Sequence, residues 1–396
     1  MTKKTHLGLF LLALPSYSET FLTNKINGLL ESGFKISLFV TNYNKSRENT
    51  FDNSVEIYYQ INTKNRLKAA YTFIQTIIMR PINVFKFIGF ERKIKRSYYQ
   101  VIKNIIINSN VFLKNDIDWL HFEFATLGIN RENIGKSINA KVACSFRGYD
   151  ITLFPHKNVG CYNILFKVLD KLHTISDDLY VEGRKLGLKK ETDVMKITPA
   201  INTKFFKAQY SSNKINNPLR ILTVGRLTWK KGYDYALDAL KVLKDSGFSF
   251  EYRIIGDGEY YNEIFYSSHM LDISKNIKFL KSVSKEDLLE EMKWADIYLQ
   301  PSIQEGFCNA VIEAQAMGLV VIATNADGLS ENVINNKTGW IVPKRDSEAI
   351  VAKILHVLSL SNDELNVIKK NARERVERTF NLSKQKKLFF KFYEPQ

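Results

Sequence analysis

A chain of 396 residues exceeds what one hydrophobic core organises comfortably, which predicts two or three domains. With 45% apolar and 25% charged residues, its composition is neither that of a disordered segment nor that of a polytopic membrane protein. Three scattered cysteines without a CxxC pair and six histidines without metal-ligand spacing argue against a disulfide scaffold or zinc site and fit a reducing cytoplasm, while the formal charge of +16 points to anionic partners.

Lys3 and Lys4 precede the apolar run Leu7–Leu14, which mimics a short signal peptide. No small-residue cleavage site follows it, so the run reads as the first strand of a parallel sheet. A helix over Glu19–Glu31 and a strand over Lys35–Val40 come next. Helices then cover much of Leu67–Ile107. From Lys64 to Lys103 there are ten lysines and arginines against one acid, Glu91, interleaved with Tyr71, Phe73, Ile77, Ile78 and Phe85. Such a segment suits docking on an anionic membrane surface, or a pair of core-facing helices with a solvated basic side. Nucleic acid is not expected, because no zinc finger, RNP-type strand or helix-turn-helix pattern accompanies the charge. No stretch reaches the ~20 apolar residues needed to span a bilayer.

Strands are expected at Trp119–Phe124 and Ala140–Ser145, and a helix at Tyr162–Leu172. Asp116 and Asp118 form a DxD, but they precede a strand and read as a plain turn. His121, inside an apolar strand, reads as a satisfied core histidine. The polar stretch 207–218 reads as a linker, giving domains 1–206 and 219–379 and a last helix at about 380–396 that packs back on the first. Beyond the linker, strands are expected at Arg220–Val224, Glu251–Ile255, Ile277–Leu280, Ile297–Gln300 and Val320–Ala323, with helices at Asp234–Asp245, Lys285–Trp294 and Asn309–Met317. Alternating strands and helices predict an α/β protein with parallel sheets, whose ligands bind at the carboxyl ends of the strands.

The residues at those ends carry the chemistry. Gly225-Arg226-Leu227 and Lys230-Lys231-Gly232 follow the first of these strands, and two cations beside a helix start suit a multiply charged anion. Gly256-Asp257-Gly258 closes the next strand and allows a tight turn. After Ile297–Gln300 come Glu305, Gly306, Phe307, Cys308, Asn309, Ala310 and Glu313. Gly306 permits close backbone approach, Asn309 is expected to cap the following helix, and Gly318 to end it. Glu305 and Glu313 lie eight residues apart, about 12 Å if helical, against roughly 5–9.5 Å for hydrolytic carboxylate pairs. Two ends of one elongated ligand therefore fit better than one scissile glycosidic bond. Glu331, past another strand, is a further candidate contact. Neither GxGxxG nor GxxxxGK[ST] is present.

Together these residues resemble glycosyltransferase family 4, the retaining, metal-independent enzymes of the GT-B fold, with two Rossmann-like domains facing across a cleft. The specific part runs from about Arg220 to Gly339, and its strongest element is Glu305-x7-Glu313 with Ala316-x-Gly318. Ser18-Glu19-Thr20-Phe21, His121-Phe122 and Ser145 to Asp150 are similar to the branch that builds capsular, exopolysaccharide and lipopolysaccharide chains. The resemblance implies that Arg226 and Lys231 bind the donor diphosphate, Glu305 the transferred sugar and Glu313 the ribose. Gly225, Gly256, Asp257, Gly258, residues Gly306 to Ala310 and Glu331 would line the donor site. Ser18, Glu19, Thr20, His121, Arg147 and Asp150 would lie toward the acceptor.

The family often carries histidine where this chain has Arg147, and its Gly-Gly turn after the first strand is replaced here by Ser16 to Ser18. Arginine cannot serve as a general base at neutral pH, which leaves the role of position 147 open. The expected activity is transfer from a nucleotide diphosphate sugar, with no metal or other cofactor, to a saccharide or lipid-linked saccharide. The expected location is the cytoplasm or the inner face of the cell membrane. The alternatives are a nucleotide-sugar epimerase or hydrolase, and a non-catalytic basic protein that binds a membrane surface or nucleic acid.

Overall fold

The computed structural model describes residues 4–15, 20–43, 51, 55–114, 116–207 and 215–394. The chain divides into two compact units, Met1–Ile197 with Lys386–Gln396, and Thr198–Gln385.

The described strands of the first unit are β1 His6–Leu11, β2 Lys35–Val40, β3 Glu56–Tyr59, β4 Trp119–Phe122, β5 Lys141–Phe146, β6 Lys171–Thr174 and β7 Asp193–Lys196. All pair in parallel, in the order β3-β2-β1-β4-β5-β6-β7. The second unit repeats the plan with β8 Leu219–Val224, β9 Phe250–Ile255, β10 Ile277–Leu280, β11 Ile297–Gln300, β12 Val320–Thr324 and β13 Trp340–Val342, in the order β10-β9-β8-β11-β12-β13. Both orders reverse direction once, between β1 and β4 and between β8 and β11. In doubly wound sheets that reversal opens a crevice at the strands' carboxyl ends. The α/β class and the two Rossmann-like units are as expected.

Every residue of β1, β4, β11 and β12 is buried, which explains why these strands read as continuous apolar runs. Strand β1 stops at Leu11 rather than Leu14. Its last ladder pairings are Leu11 with Val40 of β2 and Phe10 with Phe122 of β4, and past them the Leu12 carbonyl still accepts from the Asn42 amide at 2.7 Å. The expected helix Tyr162–Leu172 shrinks to Leu165–Val168 and gives way to β6. Asp170 causes this: its amide donates to the Val142 carbonyl and its carboxylate accepts from the Val142 amide at 2.7 Å, drawing the chain alongside β5.

The first unit also carries helices α1 Thr20–Glu31, α2 Arg66–Met79, α3 Pro81–Lys93 and α4 Tyr98–Ile107. Its core gathers Leu7, Leu9, Ile36, Leu38 and Trp119 with Phe389, Phe392 and Tyr393 from the last helix, Leu382–Tyr393.

The boundary between units falls before the expected linker. Thr198–Phe206 belongs to the second unit because Ile201 bridges to Asn381, its amide donates to the Phe380 carbonyl, and Phe206 packs with Val376 and Phe380. Arg373 fastens the same segment, donating to the carbonyls of Phe206, Thr203 (2.8 Å) and Ala316 (2.6 Å). Within the expected linker, 208–214 lie outside the described residues, and Asn216 is bound through its side chain to Asp296 at 2.7 Å.

Candidate functional site

The second unit's crevice is built by three loops. After β8, Gly225 donates its amide to the Ile255 carbonyl, Leu227 donates to Asp257 O, and Tyr260 donates back to Leu227 O. The β8 and β9 loops are thereby laced together. Glycine is required in that lacing. A Cβ on Gly256, at φ +145°, would lie 2.0 Å from Gly225 O, and one on Gly258 2.2 Å from Leu227 O. Gly232 (φ +67°) passes as closely against Pro301 O, at 2.1 Å, which brings the loop after β8 against the loop after β11. The Lys230 carbonyl completes the join by accepting from the Ile303 and Gln304 amides.

This join sets Lys231 against Glu305. Their side chains, 12% and 11% exposed, form an ion pair at the carboxyl ends of neighbouring strands β8 and β11. Burial works against the Lys231 charge, but the Glu305 carboxylate outweighs it and raises the lysine above its ordinary value. Lys230 is lowered by burial, with Glu305 opposing and Lys231 and Arg226 adding to the fall. Three cations thus crowd one carboxylate, and Arg226 remains exposed to solvent. The excess of positive charge suits an anionic ligand.

Glu305 is held from behind by a buried polar chain not anticipated from the sequence. The Tyr298 hydroxyl lies between the Val224 backbone and Gln300 Oε1 (2.8 Å), Gln300 Nε2 donates to Ser302 Oγ (2.8 Å), and Ser302 Oγ reaches Glu305 Oε1 at 3.4 Å. Thr324 donates to the Ser302 carbonyl at 2.5 Å. The available sign was polarity at the end of an apolar strand, Gln300 and Ser302 among residues otherwise suited to a core.

Asn309 does not cap the next helix. Helix Asn309–Ala316 starts at Asn309 itself, and its cap position is Cys308, whose side chain makes no cap hydrogen bond. The N–H groups of that turn, Asn309 and Ala310 included, therefore keep their capacity to bind an anion. Asn332 explains the displacement. It clamps Cys308 from both sides, Oδ1 accepting from its amide (3.3 Å) and Nδ2 donating to its carbonyl (2.8 Å), so Cys308 has neither backbone group free for a ligand. Burial pushes the Cys308 thiol up to about 12. Phe307 turns its ring edge to Phe380 at 5.5 Å.

Gly318, at φ +74°, terminates the helix as expected, with Leu319 N donating to Ala314 O. On the same helix burial raises the Glu313 carboxyl to about 7, with Lys285 pulling it down. Glu331 ends a short turn whose carbonyl accepts from Arg375 at 2.6 Å. Gly306 leads into the helix from Glu305, whose own carbonyl accepts from Gly328 N at 3.0 Å.

In the first unit the expected acceptor residues separate. Ser18 and Glu19 lie outside the described residues, and Thr20 opens α1. His121 is fully buried, its ring nitrogens 2.7 Å from Ser145 Oγ and 2.7 Å from Tyr393 Oη, and burial drives it well below its ordinary value. The Ser145 hydroxyl continues to His173, which meets the Ile197 carbonyl. Asp150 is also buried; its carboxylate accepts from the amides of Ala125, Arg147 and Gly148 and fixes the loop after β5. Both side chains are thus buried and occupied by protein partners.

Arg147 differs. Its guanidinium donates to Glu123 Oε2 at 2.6 Å and lies over the Phe21 ring at 4.3 Å, while the other Glu123 oxygen takes the buried Lys25. Lys25 and Glu123, 98 residues apart, escaped the sequence reading because neither stands in a motif. The DxD is a turn at the amino end of β4, where Asp118 accepts from the His6 amide and Asp116 from Lys35. Among the described residues no group of three or more His, Cys, Asp or Glu is placed to hold a metal ion.

Residues 205–375 match the family described as Glycosyl transferases group 1. The chain is 28% identical over 397 residues to WcaL of Escherichia coli K12, named provisionally as a colanic acid biosynthesis glycosyltransferase, covering 94% of this chain and 96% of that one. It is 30% identical to the uncharacterized glycosyltransferase MJ1178 of Methanocaldococcus jannaschii (66% and 77% covered). It is 28% identical to the Escherichia coli UDP-Gal:alpha-D-GlcNAc-diphosphoundecaprenol alpha-1,3-galactosyltransferase (52% and 54%). In fold it is similar to the Anabaena protein HepE, crystallised with UDP, at a TM-score of 0.72 and 14% identity over 98% of each chain. With this fold and these loops, the chain belongs to the group 1 glycosyltransferases and has the GT-B type of architecture.

Proposed function

We propose that this glycosyltransferase moves a sugar from a nucleoside diphosphate sugar to a saccharide or lipid-linked saccharide in surface-polysaccharide synthesis, with retention at the anomeric carbon and without a metal. The observation that carries the reading is the Lys231–Glu305 pair at the β8–β11 reversal, flanked by exposed Arg226 and the uncapped turn at Asn309. Relatives named for colanic acid synthesis and for transfer from UDP-Gal to a diphosphoundecaprenol-linked sugar support the donor and acceptor classes.

In this reading Arg226, Lys231 and the N–H groups at Asn309 and Ala310 take the diphosphate. Gly225, Gly256, Asp257 and Gly258 shape the loops against it. Glu313 accepts from the ribose, Glu331 adds a contact, and Glu305 faces the sugar. The bond from the anomeric carbon to the diphosphate oxygen breaks, and the electron pair leaves with the diphosphate. The acceptor oxygen bonds to the same face of that carbon, and its proton passes to the departing phosphate oxygen. Fixed cations aimed at the leaving oxygens stabilise charge as it develops, an effect worth roughly 10²–10³ in turnover per donor removed. Three free cysteines suit a reducing compartment, and we place the enzyme in the cytoplasm.

The test is turnover and melting temperature of Arg226→Ala, beside a thermal-shift series with UDP, GDP, ADP and CMP, each with and without EDTA. Turnover falling roughly 10²-fold or more at unchanged melting temperature, and a nucleoside diphosphate that stabilises regardless of EDTA, are the expected results. Near-normal turnover in the variant would refute the assignment.

A further inference from the structure

Helix α2 is inside out. Its buried residues are Ala69, Thr72 and Thr76, small or hydroxylic side chains. Leu67 (86%), Tyr71 (67%), Ile74 (56%) and Ile78 (72%) are exposed instead. Their spacing of four, three and four residues makes one continuous stripe along the helix. Thr76 gains its place inside by donating to the Thr72 carbonyl at 2.6 Å. At Arg80 the chain bends by 108° into α3, where Ile82 (70%) and Phe85 (66%) extend the exposed apolar surface. Single exposed leucines are ordinary; a contiguous stripe of large apolar groups on consecutive helices is not.

The rim of this face is cationic. Arg66, Lys68, Lys86, Arg92 and Lys93 are all exposed, and Glu91, the segment's single acid, is buried beneath Arg96. Two copies meeting through the face would bring like charges together, so self-association is disfavoured. An apolar stripe bordered by cations matches the acyl boundary and headgroups of an anionic bilayer. No single described helix is long and apolar enough to cross a membrane, and both helices are packed on the unit: α3 buries Val84 and Phe87.

We infer that α2 and α3 form a membrane-docking face, which lays Leu67, Tyr71, Ile74, Ile78, Ile82 and Phe85 into the interface of an anionic bilayer. The face is in the first unit and shares no residue with the donor loops, so its fate is separate from that of the proposed reaction.

The experiment is co-sedimentation of the full chain with vesicles of phosphatidylcholine alone and of phosphatidylcholine with 30% phosphatidylglycerol. Binding to the anionic vesicles should exceed binding to the neutral ones, and Tyr71→Glu/Ile78→Glu and Arg66→Glu/Lys93→Glu should each weaken it by roughly tenfold or more. All four positions are exposed, so melting temperatures should hold. A Phe85→Trp variant should be quenched by dibrominated lipid. Failure of the native chain to sediment with anionic vesicles would overturn the inference, as would undiminished binding by Tyr71→Glu/Ile78→Glu. A stable dimer that this same variant dissolves, with no vesicle binding, would assign the face to a second copy instead.

Discussion

Glu123 gives one carboxylate oxygen to Lys25 and the other to Arg147, so a single buried anion holds two cations on separate elements. Glu123→Ala would leave both uncompensated, and a loss of about 3–5 kcal/mol in stability is expected by urea denaturation. Glu313 carries the sharper functional prediction. Its carboxyl, raised to about 7 from 4.5, is neutral below that pH and ionised above it. The empty protein should therefore lose stability as pH climbs through this range, because folding disfavours the ionised form. A ribose hydroxyl donates better to a carboxylate, so affinity for a nucleoside diphosphate sugar should rise through pH 7 and level off above 8. Calorimetric titration at several pH values checks this, and Glu313→Gln should flatten the profile. That Lys231 and Glu305 share one crevice was legible from sequence, because each stands in a loop that follows a strand end. Lys25, Gln300 and Asn332 were not, since their meaning lies in partners the chain meets only after folding.

At the scale of elements, loops are tied by glycine contacts that admit no side chain. Gly232→Ala would force a left-handed residue and drive a methyl group into Pro301 O. Roughly 1–3 kcal/mol of stability should go, and nucleotide binding with it, because the Lys231–Glu305 pair rides on that contact. Differential scanning calorimetry with and without nucleotide measures both. The central strands could be read from sequence since they are buried on both faces and therefore uniformly apolar. Strand β3 was missed because all four of its residues are only half-buried, and β7 because its outer residues, Asp193 and Lys196, are exposed. For α2 the apolar periodicity was visible but not its direction. Periodicity shows that a face exists, and the burial of Thr72 and Thr76 decides which way it points.

For the molecule as a whole, the chain leaves its first unit at Ile197 and re-enters it at Lys386. The returning residues are fully part of that core: Phe392 and Tyr393 are 0% exposed, Phe389 is 3% exposed, and Tyr393 bonds His121. Loss of a buried aromatic costs about 3–5 kcal/mol, and domains are stable by only about 5–15. A chain ended after Asn381 should therefore retain a folded second unit and an unfolded or aggregating first one, distinguishable by limited proteolysis. The same feature sets an order on biosynthesis. As a ribosome releases the protein, β1 to β7 emerge early, yet Trp119 and His121 wait for their cover until the intervening 198–385 has been translated. At about 5–20 residues per second that wait lasts on the order of 10–40 s. The last helix is thus the seal of the first core, which closes only once Phe389, Phe392 and Tyr393 have been translated.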